Sequence, residues 1–289
     1  MPSRARRWAT VAAIFYIFLW AAAFVPSKIA VLDASPQLFL VVRFLFGGIV
    51  LGLAAGLLRL PFPASRRAWM QIAALGVLSN SLYLGLSYES LRHLSAGMGA
   101  ILASTNPLIL ALVAPRFLGE RLTVRKGLGL LLGFGGVVFI MLARTGTGDA
   151  NGLALTLAML AVCANVAGAI VFKRLQTGAH LMSISAIQLT AAGLALLPFI
   201  FADPHPHIDP TPRLVASFVY LFFSMSLVAT VLWYWLLRGG EASRVSAYFF
   251  LTPIFGLVLG ALVLGEPVSL RDLAGLAATA AGIALVQSA

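Results

Sequence analysis

The chain has 289 residues, 61% of them hydrophobic and 10% charged, where a soluble domain carries about 25% charged residues. A water-soluble core of that composition would have no surface to cover it, which excludes an ordinary soluble domain. The formal charge of +11 arises from Lys and Arg scattered through short links rather than gathered on a patch or arm, so no nucleic-acid partner is expected.

The apolar residues fall into stretches of about 20, rich in Leu, Ala and Gly, which suit helices crossing about 30 Å of hydrocarbon. The ten-residue alternation of a membrane barrel is not seen. Only helices and closed barrels satisfy their backbone groups in lipid, so the spans are read as helices. Arg4, Arg6 and Arg7 precede an apolar run from Trp8 to about Leu32. With Ala21, Ala22 and Ala23 this run resembles a secretory leader, but it is longer than a leader core and serves as the first span of the repeat below. The expected spans are 8–32, 36–58, 68–90, 95–116, 125–143, 152–173, 180–201, 213–237, 243–264 and 270–287.

Placing the amino terminus in the cytoplasm puts fourteen basic residues on inside segments: Arg4, Arg6, Arg7, Arg59, Arg66, Arg67, Arg116, Arg121, Arg125, Lys126, Lys173, Arg174, Arg238 and Arg244. Five fall outside, namely Lys28, Arg92, Arg144, Arg213 and Arg271, and Arg43 lies within span two. This bias places both termini inside. Trp8 and Trp69 open spans as interfacial anchors.

Sliding the chain against itself by 146 residues matches Tyr88 with Tyr234, Leu91-Arg92 with Leu237-Arg238, Ala96 with Ala242 and Pro107 with Pro253. The same offset matches Leu118-Gly119-Glu120 with Leu264-Gly265-Glu266, Arg125 with Arg271, Gly129 with Gly275 and Gly136 with Gly282. Each half holds an odd number of spans, so the second runs through the membrane upside down. The predicted fold is therefore an all-α integral membrane protein of ten transmembrane helices in two inverted five-helix repeats, residues 1–146 and 147–289.

A proline in span four or nine, then Leu-Gly-Glu, then a Gly-rich last span, given twice, resembles the EamA family of the drug/metabolite transporter superfamily. Within it the chain looks most like the YddG type of amino-acid exporter. That resemblance implies a cavity lined by spans one, three, four, six, eight and nine, and export of amino acids or small metabolites without ATP. It points to a multi-pass protein of the bacterial inner membrane.

Polar groups inside spans are costly, which makes them candidates for substrate contact. Span one offers Tyr16 and Trp20. Span three offers Asn80, Tyr83 and Ser87 on one helical face. Span four has Ser104 before Pro107, and span six has Asn165. Spans eight and nine add Ser226, Thr230, Ser246, Tyr248 and Thr252, the last just before Pro253. Such groups suit a zwitterion's ammonium and carboxylate, while aromatic faces take an apolar side chain. The competing reading for each is interhelical hydrogen bonding. Pro107 and Pro253, read as mid-helix prolines, would free the carbonyls of Ala103 and Phe249 and form hinges or fixed bends.

Glu120 and Glu266 sit in links, where starting spans five and ten is the expected job; Ser269 and Asp272 approximate a capping box. No Asp or Glu lies centrally in a predicted span, which favours a neutral or zwitterionic cargo over a cation and leaves proton coupling without an obvious carrier. A proton-coupled multidrug antiporter and an integral-membrane enzyme remain the alternatives, as does a sugar-phosphate carrier, for which only Lys28 and Arg43 lie near a span interior. Gly48, Gly52 and Gly56 form a stripe for close packing within the chain, or for dimerisation. Cys163 reads as packing. His205 and His207 with Asp203 and Asp209 make a weak metal signal in a Pro-stiffened loop. The expectation is a monomer in the lipid bilayer with a small-molecule substrate, no cofactor, no metal and no catalytic residues.

Overall fold

Pro26 has no N–H to donate, and the first span breaks just ahead of it. In the computed structural model, which describes residues 3–94, 99, 102–142, 152–175, 177–201, 203–252, 254–255 and 270–288, this span is two helices, α1 (Ser3–Ala22) and α2 (Phe24–Asp33). A tight turn at Ala23, whose N–H bonds to the Trp20 carbonyl at 3.1 Å, joins them. Ser35 and Pro36 then open α3 (Pro36–Leu57), with proline in the first turn, where its missing N–H is harmless.

Span three is continuous but not uniform. Ser65 caps α4 (Arg66–Gly76), a π-helical segment follows at Val77–Leu82, and α5 (Tyr83–Leu91) completes it. α6 (Asn106–Leu118) ends on Gly119 at φ 68°, a left-handed backbone that glycine adopts without strain. α7 (Val124–Leu142), α8 (Gly152–Arg174) and α9 (Leu181–Ile200) follow. The next span repeats the pattern of span three, with α10 (Pro212–Tyr220), a π segment at Leu221–Ala229 and α11 (Thr230–Gly239). A short helix α12 (Ala242–Ser246) runs into a 3-10 turn at Ala247–Leu251, and α13 (Leu270–Gln287) closes the chain.

Among the described residues regular structure is helical, apart from one isolated bridge between Ala34 and Ile208. Six stretches of the described residues are long and apolar enough to cross a membrane: Trp8–Asp33, Pro36–Leu57, Arg66–Leu91, Gly152–Arg174, Leu181–Ile200 and Pro212–Gly239. Asn106–Leu118 and Leu273–Gln287 are shorter apolar helices. Side chains such as Leu53, Leu112 and Leu131 stand exposed on the outer surface, as they do where lipid replaces water. Cys163 is also exposed rather than packed inside.

Two helix pairs form the frame: α3 lies along α9, and α7 along α13. A methyl group built on Gly48 would sit 2.9 Å from the Thr190 nitrogen, and one on Gly52 3.8 Å from the Ala186 side chain, so the numbering rises on α3 as it falls on α9. Likewise Gly129 would meet the Gly282 carbonyl at 2.8 Å, and Gly136 the Gly275 carbonyl at 2.6 Å. Both pairs are antiparallel, and glycine lets their backbones touch. The stripe in span two thus serves packing within the chain at Gly48 and Gly52, while nothing lies within 4 Å of Gly56.

Candidate functional site

The two π segments occupy equivalent places: moved by 146 residues, Val77–Leu82 falls at 223–228, inside Leu221–Ala229. A π turn widens the helix and shifts the face it presents, and such segments cluster at functional sites. Thr230 helps satisfy the altered ladder by donating its hydroxyl to the Met225 carbonyl at 2.8 Å. Between these segments and α1, α2, α3, α5, α8 and α11 lies a cavity of about 100 Å³.

Tyr16, Trp20, Asn80, Tyr83, Ser87, Asn165 and Thr230 all line it. Trp20 stacks on Tyr83 with ring centroids 5.8 Å apart, Tyr16 on Trp233 at 5.3 Å, and Phe249 meets Trp20 and Trp233 edge-on at 5.2 and 5.4 Å. The result is an apolar, flat-walled pocket with a few polar groups. Trp20 Nε1 and Asn80 Nδ2 are buried there without a hydrogen-bond partner, a condition that costs free energy until something accepts from them.

Ser104, Ser226, Ser246, Tyr248 and Thr252 are not among the residues that line the cavity. Ser104 and Thr252 are buried, and Ser246 donates to the Ser243 carbonyl at 3.1 Å. The Tyr248 hydroxyl lies 3.4 Å from that of Thr10. Ser226 accepts from Arg43 Nε at 2.9 Å. Pro107 is not a mid-helix proline: the chain turns at Ser104 and Thr105, and Pro107 sits in the first turn of α6. Pro253, Glu266 and Ser269 lie outside the described residues.

Arg43, Ser27, Tyr88, Trp233 and Tyr234 line the cavity without having been singled out as substrate contacts. Arg43 Nη1 donates to the Tyr88 hydroxyl at 3.2 Å, and that hydroxyl lies 3.0 Å from Ser27 Oγ. The signal for Arg43 was in plain view, a charge in the middle of an apolar run; Tyr88 and Tyr234 were visible as repeat markers.

Away from the cavity, polar contacts tie the helix ends. Asp33 accepts from Arg213 and Thr211, and Ser35 donates to Asp203 Oδ2 at 2.6 Å. The Ser35 hydroxyl, then the His205 N–H, hold the Asp203 carboxyl below the usual carboxylate range. This loop fastens α2 to α10, and among the described residues no group of His, Cys, Asp and Glu is placed to hold a metal. Glu120 does not start its own helix. Thr123 caps α7, accepting from the Lys126 N–H at 3.2 Å, whereas Glu120 accepts from the N–H groups of Ala242 and Ser243 at 2.6 and 3.2 Å and so caps the distant helix α12. Glu89 pairs with Arg92 at 3.2 Å.

Membrane-crossing helices around a central aromatic and polar cavity define a multi-pass membrane carrier. The EamA-like transporter family matches this sequence twice, over residues 7–142 and 152–288, and the chain belongs to that family. It is 30% identical over 277 residues to the uncharacterized transporter YvbV of Bacillus subtilis, covering 95% of this chain and 90% of that one. It is 25% identical to protein PecM of Dickeya dadantii over 88% of this chain and 83% of that one. A solved crystal structure at 19% identity superposes with a TM-score of 0.79, covering 98% of this chain and 97% of the other, a likeness of fold.

Proposed function

We propose that the chain exports neutral amino acids, aromatic ones foremost, and similar small metabolites across the bacterial inner membrane by alternating access and uncoupled facilitated diffusion. The observation that carries this reading is the cavity: stacked aromatic walls, a few unpartnered polar groups, and no carboxylate among the described residues that line it. A proton-coupled antiporter for cations needs a buried acid on the pathway.

Ten spans in two inverted halves, with both termini cytoplasmic, complete the proposal. Support comes from the antiparallel pairing of span two with span seven and of span five with span ten, each helix against its own repeat counterpart. It comes also from π segments at equivalent positions on spans three and eight, where a substrate at the repeat interface would be held. The test is purified protein in liposomes loaded with labelled amino acids. Efflux down the amino-acid gradient alone is expected; efflux only under an imposed proton gradient contradicts the uncoupled mechanism, and a chemically altered product indicates an enzyme.

A further inference from the structure

The two halves build the same tether with different chemistry. Arg43 on α3 binds the Tyr88 hydroxyl; 145 residues later Gln188 on α9 accepts from the hydroxyl of Tyr234, the repeat partner of Tyr88, at 2.8 Å. The helices themselves start 145 residues apart, at Pro36 and Leu181, so the positions correspond. A neutral amide is enough to hold a tyrosine against its neighbour. Packing therefore does not account for the charge on Arg43.

A charge inside a membrane span is expensive unless something offsets it. Arg43 is 4% exposed, its hydrogen bonds go to the hydroxyls of Ser226 and Tyr88, and among the described residues no carboxylate pairs with it. It lines the same cavity as Trp20 Nε1 and Asn80 Nδ2, the two donors left without acceptors. The cavity thus carries a cation and surplus donors, and its described lining offers no acid. A guanidinium's fork matches the two oxygens of a carboxylate, and an anion brought by the ligand offsets its desolvation.

We infer that Arg43 anchors the carboxylate of the transported molecule, and that the substrate class is aromatic monocarboxylates, in which the α-ammonium of an amino acid is dispensable. This rests on the reading of the cavity as the transport site. The rings of Trp20, Tyr83 and Trp233 supply flat walls for an aromatic body.

The experiment compares three ligands of one shape, phenylalanine, 3-phenylpropionate and phenethylamine, by the thermal shift each gives purified protein and by counterflow in liposomes. Phenylpropionate is expected to bind at least as tightly as phenylalanine, and phenethylamine at least tenfold more weakly. Arg43→Gln is expected to weaken both carboxylates at least tenfold while leaving phenethylamine within twofold, with Arg43→Lys intermediate. Equal binding of phenethylamine and phenylpropionate to the wild-type protein overturns the inference without recourse to any variant, as does the absence of binding by either carboxylate. A uniform loss for all three ligands in Arg43→Gln assigns Arg43 to packing alone and also overturns it. Carboxylate binding that depends on Arg43 without amino-acid counterflow leaves the anchor standing and refutes the proposed transport activity.

Discussion

Lys173 Nζ donates to the Leu237 carbonyl at 2.8 Å and also to that of Gly240, capping the end of α11. Lys28 does the same at the end of α5, with Leu91 and Leu94 as acceptors, and each acceptor pair is related by the 146-residue offset. An ammonium at a helix C-terminus satisfies orphan carbonyls and complements the helix dipole. Both lysines are partly solvated, which limits the gain. Lys28→Met and Lys173→Met are each expected to lower stability by about 1 kcal/mol. The two share no partner, so the double variant should lose the sum to within about 0.5 kcal/mol in thermal unfolding in detergent.

Glycine positions divide sharply by what lies opposite. A methyl group on Gly76 would collide with the backbone of Gln188, its Cα 2.8 Å away, and backbone does not yield as a side-chain tip does. Gly76→Ala is expected to force α4 off α9 at a cost of about 2 kcal/mol or more. Gly56 has open space around it, so Gly56→Ala should be neutral or stabilising by up to about 1 kcal/mol. Unfolding midpoints of the two variants side by side check the packing directly; a well-behaved Gly76→Ala protein would refute the close approach.

The membrane-crossing helices were legible because lipid imposes them: apolar runs of about 20 residues need no tertiary knowledge. Trp20, Asn80 and Tyr83 were found by the same logic, a polar or aromatic group on an apolar span. Ser246 and Thr252 were singled out as polar residues ahead of Pro253, a pattern that does not fix which way they face. The chain there runs through a 3-10 turn, Ala247–Leu251, with three residues per turn rather than 3.6, so the faces of a regular α-helix are not kept. The π segments left no residue signature, since they are a matter of hydrogen-bond register. Glu120 misled for a different reason: a local capping pattern does not reveal that the acceptor reaches a helix 122 positions on.

Transport assays should separate the residues that line the cavity from those that do not. Asn80→Ala removes a buried amide with an unpartnered donor at the cavity wall and is expected to reduce transport about tenfold, the equivalent of one hydrogen bond worth about 1.4 kcal/mol, with normal membrane insertion. Ser246→Ala loses only a bond to the Ser243 carbonyl outside the cavity, so transport should stay within about twofold of wild type. Equal rates for the two variants would remove the basis for the assignment.

Glu241 provides the pH test. Burial alone would raise its carboxyl, but the hydrogen bond and charge of Lys126, 2.6 Å away, with Arg244 at 3.0 Å, take it below the usual glutamate range. Lys126 is 3% exposed, so its ammonium depends on this partner, supplemented by the Arg121 carbonyl at 3.3 Å and Ser243 Oγ at 3.4 Å. Because the folded carboxyl holds its proton less tightly than the unfolded one, its contribution is fully present above the unfolded value of about 4.3. It is lost as pH falls through the depressed folded value, since the unfolded chain takes up the proton first. The carboxylate is half-exposed, which keeps the contribution to about 1 kcal/mol. Thermal unfolding between pH 3 and 7 should show wild type more stable than Glu241→Gln at neutral pH, with the gap closing below about pH 4.3. A gap that persists unchanged to pH 3 would mean that the variant acts through something other than the ion pair with Lys126.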